Sequence, residues 1–291
     1  MTAVARLDPI ARVAQRLSVL LAAGVSPASA WGYLDAATHP PVDTSDIVGS
    51  LTAAEGLPVE RLAWRGIAAA WSVATAAGAP LAPSLAQFAA GLRSLADAQR
   101  ETEVALAGPV ATSRMVMALP AVGLIFGMLL GFNTLGTLLT TGPGIACLVL
   151  GSALLLAGAR WNRRLVASAQ PTDPVPGLQL ELLAIAVSGG GSLERAVALV
   201  ETALTACSLP PSEAGASVLE LSQRAGVPAR ALLIAEADDA RREARAAAQA
   251  AAAVLAVRLM LPLGLCVLPA FMLLTVAPMV IAIVTSTVAG F

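Results

Sequence analysis

Two long stretches without a charged side chain constrain this sequence more than any other feature. Residues 115–159 contain no Asp, Glu, Lys, Arg or His, and residues 259–291 contain none either. The first stretch divides into two apolar arms, 115–132 and 145–159, around an uncharged turn at 133–144. With the residues that flank it, each arm approaches the ~20 apolar residues that cross a bilayer core. The pattern predicts a membrane hairpin followed by one C-terminal span.

The C-terminal stretch is longer than one crossing requires. As a continuous helix it would extend about 50 Å at 1.5 Å per residue, against the ~30 Å of a hydrocarbon core. We therefore expect this helix to tilt, to protrude from the membrane, or to bend at a proline. Its three prolines are Pro262, Pro269 and Pro278.

The positions of the arginines predict the orientation of the spans. Arginine flanks the hairpin at both ends and precedes the last span, whereas the turn of the hairpin is uncharged and nothing basic follows the last span. Because arginine is retained on the cytoplasmic side of short loops, we expect the N-terminus and the linker near Thr172 inside. The turn near Thr140 and the C-terminus should then lie outside. The arginines concerned are Arg114, Arg160, Arg163, Arg164 and Arg258.

Composition supports an integral membrane protein. The chain is 57% hydrophobic and only 13% charged, whereas soluble proteins average about 25% charged residues. Its formal net charge of -1 provides no excess of basic residues to release counterions from nucleic acid, so we expect no DNA or RNA partner. The lipid bilayer is the first partner that the sequence predicts.

The segments outside the apolar stretches have the periodicity of helices in soluble bundles. Apolar residues recur every three to four positions from Ile10 to Leu21, which places them on one helix face. Gly24 suits a left-handed helix end, and Ser26 followed by Pro27 suits the start of another helix. These signals predict small cytoplasmic helical bundles.

The signals divide the chain into four predicted parts. The first helical bundle occupies residues 1–111 and the membrane hairpin residues 112–164. The second helical bundle occupies residues 165–257, which include a proline-containing linker at 169–177. The last span occupies residues 258–291. The predicted fold class is all-α, with two homologous bundles and three transmembrane helices.

The second half of the chain repeats short segments of the first half in the same order. Each match is short, but the shared order indicates two copies of a unit made of a bundle and a membrane segment. The matches are Gly24–Ala28 with Gly190–Glu194, Ala77–Pro80 with Ala225–Pro228, and Arg114–Gly123 with Arg258–Gly264.

Residues able to support catalysis or to hold a cofactor are sparse. The chain has no lysine, so the glycine-rich segment 188–192 lacks the partner that a phosphate-binding loop needs, and we interpret it as a helix stop and restart. The one histidine, His39, is predicted to be exposed in a loop, and the three cysteines lie far apart. We therefore expect no catalytic residue, no metal and no cofactor, and hence no enzyme.

Together these features resemble the F family of type II secretion systems, the inner-membrane platform proteins that type II secretion and type IV pili share. The resemblance covers nearly the whole chain and is greatest to the tight-adherence (Tad/Flp) pilus branch. It rests on the helical hairpin Leu17–Ala30, its copy Leu182–Ala196, the charged helix ending at Arg114, and the sequence RLMLPLG at Arg258–Gly264.

The resemblance implies a function and a set of partners. A member of this family is a multi-pass protein of the bacterial inner membrane that couples a cytoplasmic secretion ATPase to the assembly of pilin or pseudopilin subunits. A sister platform protein and a second copy of the chain are open as further partners. The alternative function is the membrane subunit of a transporter, although the spans lack an acidic residue for an ion path.

Three glycines form a candidate packing face on the first membrane arm. Gly123, Gly127 and Gly131 are spaced by four residues, so they lie on one helix face and allow another helix to approach closely. One interpretation is packing against the second arm, along Gly151 and Gly158. The other is contact with a pilin subunit or with a second copy of the chain.

Two charged clusters lie at matching distances ahead of the membrane segments. One interpretation is a solvated helix face, on which Arg93 with Asp97 and Asp238 with Arg242 form i,i+4 pairs. The other is contact with the ATPase, for which Arg241 and Arg242 are the stronger candidates. The clusters are Arg93, Asp97, Arg100 and Glu101 in the first half, and Asp238, Asp239, Arg241, Arg242 and Glu243 in the second.

Overall fold

The computed structural model describes residues 7–129, 134–168, 175–210, 215–281 and 284. Every regular element in these residues is helical, which confirms the predicted all-α class. The helices are α1 (Leu7–Ala22), α2 (Pro27–Gly32), α3 (Ile47–Thr52), α4 (Pro58–Ala77), α5 (Leu81–Leu129), α6 (Thr134–Thr140), α7 (Gly142–Ser168), α8 (Leu178–Ser188), α9 (Leu193–Ala206), α10 (Ala216–Ala225), α11 (Ala229–Arg258) and a C-terminal helix (residues 260–281).

Within the described residues, two helical stretches are long and apolar enough to cross a membrane. They are Gly142–Val166 and Ala229–Ile281, with mean hydropathies of 1.9 and 2.3. They contain the predicted second arm and residues 258–281 of the predicted last span. The described portion of the first arm, Met115–Leu129, is a shorter apolar helix, and residues 130–133 lie outside the described part of the chain. Length and apolar composition thus indicate association with a membrane.

The predicted helix stop and restart after α1 is confirmed. The chain leaves α1 at Gly24, whose φ of +87° is a conformation that glycine adopts without a steric penalty. Ser26 then accepts a hydrogen bond from the backbone N–H of Ser29 at the start of α2. The segment matched to it by sequence has the same geometry, with Gly190 at φ +80° and Ser192 capping α9.

The chain divides into two compact units, and helices from both halves of the chain contribute to the first of them. Unit 1 comprises Met1–Glu101 and Pro171–Ala247, and unit 2 comprises Thr102–Gln170 and Ala248–Phe291. In unit 1, α4 packs against α1 and α3 from its own half and against α8 and α9 from the other half. The buried residues of these helices form one hydrophobic core. The two predicted bundles therefore share a core, while their predicted sequence boundaries stay a prediction.

Helix α8 is a core element of unit 1. Its residues from Leu180 to Ala186 are all buried, so it is enclosed on every side rather than on one face. Its 11 residues are too few to cross a bilayer, and its neighbours α4 and α9 account for its burial. One acidic residue, Glu181, lies within this buried run.

In unit 2, α7 packs along the C-terminal helix in the antiparallel direction. A β-carbon at Gly151 would lie 2.5 Å from Leu274 Cγ, and one at Gly158 would lie 3.0 Å from Cys266 Cβ. As the numbering rises along α7, it falls along the C-terminal helix. The two glycines therefore allow the helices to approach closely.

Two turns of the C-terminal helix are widened immediately before a proline, at two of the three prolines where the sequence left a bend open as an alternative to tilt or protrusion. The Leu268 N–H bonds to the Leu263 carbonyl, five residues back, immediately before Pro269. The Ala277 N–H bonds to the Met272 carbonyl in the same way, immediately before Pro278. A proline has no N–H and its ring clashes with the carbonyl four residues earlier. A π-turn before each proline accommodates both effects within a continuous helix.

Candidate functional site

The candidate glycine face packs inside unit 2, but against a different helix from the one predicted. A β-carbon at Gly123 would lie 2.7 Å from Thr275 Cγ2 and 3.0 Å from the Phe271 ring. Thr275 also donates a hydrogen bond of 3.3 Å to the Pro120 carbonyl. The partner of Gly123 in the structure is therefore the C-terminal helix and not α7, which was one of the two interpretations that the sequence left open.

Four further glycines were named in the prediction, two on this face and two on α7. Gly127 is buried, and Gly131 lies outside the described residues. The α7 glycines named in the prediction, Gly151 and Gly158, contact the C-terminal helix as well. The sequence identified the small residues correctly, but it contained no signal for which of two apolar helices would pack on them.

The two charged clusters come together in unit 1. Arg245 of α11 donates a hydrogen bond of 3.1 Å to the carbonyl of Ser94 in α5. Its Nε lies 3.9 Å from Glu101 Oε2. Arg100 of α5 forms an ion pair with Asp8 of α1. The charged segments of α5 and α11, which were predicted to lie at matching depth, thus contact each other.

The ion pairs within each cluster have a different spacing from the predicted one. Arg100 pairs with Asp97 at 3.1 Å, Arg242 pairs with Asp239, and each pair is separated by three residues rather than four. The predicted pairs of Arg93 with Asp97 and of Asp238 with Arg242 are not among the ion pairs of the described residues, in which Asp97 pairs with Arg100 and Asp238 pairs with Arg241. Arg93 is exposed.

Arg241 is not on the solvated face where its neighbour lies. Its side chain is 12% exposed and forms an ion pair with Glu181 of α8, which is 3% exposed. It also forms an ion pair with Asp238, with 2.9 Å between Arg241 Nη1 and Asp238 Oδ1. The Arg242 side chain, one position further along the helix, is 70% exposed. The prediction that both arginines are available to a partner is therefore wrong for Arg241, because α8 covers it.

The pair between Arg241 and Glu181 is enclosed by protein. At Gly91 of α5, a β-carbon would lie 2.7 Å from Arg241 Nη2 and 3.0 Å from Glu181 Oε1. A glycine at this position therefore leaves the space that the pair occupies. A cavity of about 20 Å³ borders the pair, a volume close to that of one water molecule.

Burial dominates the electrostatics of Glu181. The pKa of its carboxyl is raised to about 7 as the net result of opposing causes: loss of solvent raises it most, Arg241 lowers it by charge and hydrogen bonding, and the charge of Asp238 raises it. Glu181 was not among the residues singled out from the sequence. The signal that could have identified it is a lone acid in the run 178–187, where every other residue except Gln179 is apolar.

The exposed charges that remain are the candidate contact surface of unit 1. We call this set the exposed charged face, and it includes both signs of charge from α5 and α11. Arg241 is excluded from it because it is buried. The exposed charged face consists of Arg93, Asp97, Arg100, Glu101, Asp238, Asp239 and Arg242.

His39 lies apart from this surface. It is half-buried rather than exposed as predicted, with its ring centroid 5.4 Å from that of Trp31 and Nδ1 2.7 Å from the Pro40 carbonyl oxygen. Within the described residues, no group of three His, Cys, Asp or Glu side chains is placed to hold a metal ion.

Comparisons of the chain with protein-family models, with curated proteins and with solved structures each found no match.

Proposed function

We propose that this protein is an inner-membrane platform protein of a type II secretion or Tad/Flp pilus machine. It couples a cytoplasmic secretion ATPase to the assembly of pilin or pseudopilin subunits. The resemblance of the sequence to that family suggests this function. The structural observation that carries the proposal is the length of two helices, α5 and the helix that begins with α11.

Each of these helices connects a charged segment to an apolar one. Helix α5 begins in unit 1 at Leu81 and continues to Leu129. The other runs from Ala229 to Ile281. From Arg242 to Arg258 the helix extends about 24 Å at 1.5 Å per residue. A force applied by a motor at the charged segments would act directly on the membrane helices, whereas flexible loops would dissipate it.

The proposal includes three membrane spans, a cytoplasmic N-terminus and an external C-terminus. To test this topology, single cysteines replace Thr140 or Thr172 in a protein lacking Cys147, Cys207 and Cys266. A membrane-impermeant maleimide added to spheroplasts should modify position 140 and spare position 172, since only the first lies in the predicted external turn. Modification of position 172 under these conditions would exclude the three-span arrangement.

The exposed charged face is the proposed contact with the ATPase. Within it, the side chain of Arg242 is 70% exposed and that of Arg100 is 50% exposed. The ion pair of Arg242 with Asp239 lies within one helix turn and is exposed, so it contributes little to folding. A charge on such a surface acts mainly on association with a charged partner. Arg242 can therefore be changed without the destabilisation that a change of Arg241 would cause.

We expect Arg242→Glu to insert and fold normally but to weaken ATPase binding roughly tenfold or more, because the reversed charge repels the acidic groups proposed on the motor. Co-purification of the ATPase and the yield of pili measure the effect. The matched control is Arg224→Glu on α10, since the Arg224 side chain is 71% exposed and pairs with Glu220 one turn away. A charge reversal on the ATPase should partly restore binding.

Full ATPase binding and full pilus yield in the Arg242→Glu variant would show that this face is only solvated. Loss of both in the Arg224→Glu control would show a general sensitivity to charge reversal instead. Either result concerns only the contact surface for the ATPase. The membrane topology is tested independently by the cysteine labelling.

A further inference from the structure

The two units carry opposite net charges. Unit 1 contains 13 arginines and 18 acidic residues, a net charge of -5, whereas unit 2 contains five arginines and one glutamate, a net charge of +4. The overall charge of -1 therefore conceals a strongly basic apolar unit. A basic charge of this size attracts negative charge.

The packing of unit 2 brings four of its five arginines to a similar level. Gly158 of α7 lies beside Pro262, with 3.9 Å between the position of its β-carbon and the Pro262 carbonyl oxygen. Arg164 lies about 9 Å further along α7, and Arg258 lies about 6 Å away along the antiparallel C-terminal segment, in the same direction. We call this group the arginine belt. It consists of Arg160, Arg163, Arg164 and Arg258.

The arginine belt has no internal counter-charge. Within the described residues, no ion pair includes any of its members, and the one acidic residue of unit 2, Glu103, lies on a different helix. Arg163, Arg164 and Arg258 are exposed. The belt adjoins the apolar span of α7, and Trp161, which is 38% exposed, lies within it. Tryptophan and arginine at the end of a span are typical of the membrane interface.

We propose that the arginine belt binds the phosphate groups of anionic phospholipids in the adjoining leaflet. A guanidinium presents a planar pair of donors that matches phosphate oxygens. Arginines next to a membrane surface attract anionic lipid with an effect of about fivefold in affinity for each residue. Because the belt borders an apolar span, the lipid headgroup is the anion that it meets. The proposal rests on the membrane insertion in the proposed function, but on neither the ATPase nor the pilus.

Trp161 provides the test, because it is the one tryptophan of unit 2. The other three, Trp31, Trp64 and Trp71, are buried in unit 1. The purified protein is reconstituted in phosphatidylcholine vesicles that contain increasing fractions of phosphatidylglycerol with brominated acyl chains. A matched series has the same lipid mixtures with the bromine on the acyl chains of phosphatidylcholine instead. The difference in quenching between the wild type and Trp161→Phe isolates the signal of Trp161 and reports which lipid lies beside the belt.

We expect the wild type to prefer phosphatidylglycerol over phosphatidylcholine by about fivefold or more, and high salt to weaken the preference. The variant Arg160→Gln, Arg163→Gln, Arg164→Gln, Arg258→Gln should show no preference. The matched control Arg12→Gln, Arg16→Gln, Arg195→Gln, Arg224→Gln removes the same charge from exposed positions of unit 1 and should keep the preference. Circular dichroism checks that each variant is folded.

Equal quenching by the two lipids in the wild type, or a preference that persists in the belt variant, would overturn the proposal. Loss of the preference in millimolar inorganic phosphate would also overturn it, because the belt would then bind a soluble anion. Absence of quenching by brominated phosphatidylcholine would show that Trp161 does not lie at a bilayer. That result would overturn the membrane topology as well, and it is distinct from a loss of lipid selectivity.

Discussion

Replacing Arg241 by methionine is expected to lower the free energy of unfolding of unit 1 by about 3 kcal/mol at about pH 8. The change leaves the buried Glu181 carboxylate without its counter-charge, while methionine keeps much of the side-chain volume. For a unit of this size the midpoint of thermal unfolding should fall by roughly 6–12 °C. The fluorescence of Trp31, Trp64 and Trp71, which are buried in unit 1, measures the transition.

The adjacent arginine is the control for this prediction. Arg242→Met removes the same charge from the same helix, but from an exposed position, and should leave the midpoint nearly unchanged. The double variant Glu181→Met, Arg241→Met should recover most of the loss, because an apolar pair needs no counter-charge. Equal destabilisation by the two single arginine variants would contradict the assignment of a buried ion pair.

The raised pKa of Glu181 makes the stability of unit 1 depend on pH. Its carboxyl has a pKa of about 7 in the folded protein against its ordinary value of 4.5, so the folded state takes up the proton more readily. The corresponding stabilisation is fully present below about pH 4.5 and is lost as the pH rises through about 7. Glu181→Gln should therefore show a smaller loss of midpoint between about pH 5 and about pH 8 than the wild type.

The second large effect is expected from Gly189→Ala, at about 1–3 kcal/mol of lost stability. Gly189 ends α8 with an ordinary φ of -77°, so the conformation itself tolerates a side chain. Its β-carbon, however, would overlap the backbone carbonyl of Ala77 at the end of α4, only 2.7 Å from the carbonyl carbon. Because backbone atoms cannot rotate away, α4 and α8 would have to separate.

Gly191, two residues further along the same turn, is the matched control for this change. The nearest atom to a β-carbon there is Arg195 Cδ at 3.6 Å, which is an ordinary van der Waals distance. Gly191→Ala should therefore be nearly neutral in the same thermal unfolding experiment. If both variants unfold at the wild-type midpoint, the close approach of α4 and α8 is not a constraint on the fold.

Local features of this protein could be predicted from the sequence because a few neighbouring residues determine them. The charge-free stretches predicted the apolar helices, and a three-to-four residue period predicted the buried face of α1, including Ile10, Val13 and Leu17. Glycine at a left-handed position and serine at a helix start predicted the turn at Gly24 and Ser26. Each of these depends on periodicity or on intrinsic backbone preference.

Partners across the fold were decided only by the tertiary structure. Small residues at Gly123 show that some helix can approach, but any apolar helix satisfies that pattern, and the C-terminal helix is the one that does. Arg241 and Arg242 are equivalent as sequence, yet consecutive residues point about 100° apart around a helix. One therefore faces Glu181 in α8 and the other faces solvent. Which face is covered depends on where α8 packs, and local sequence contains no information about that position.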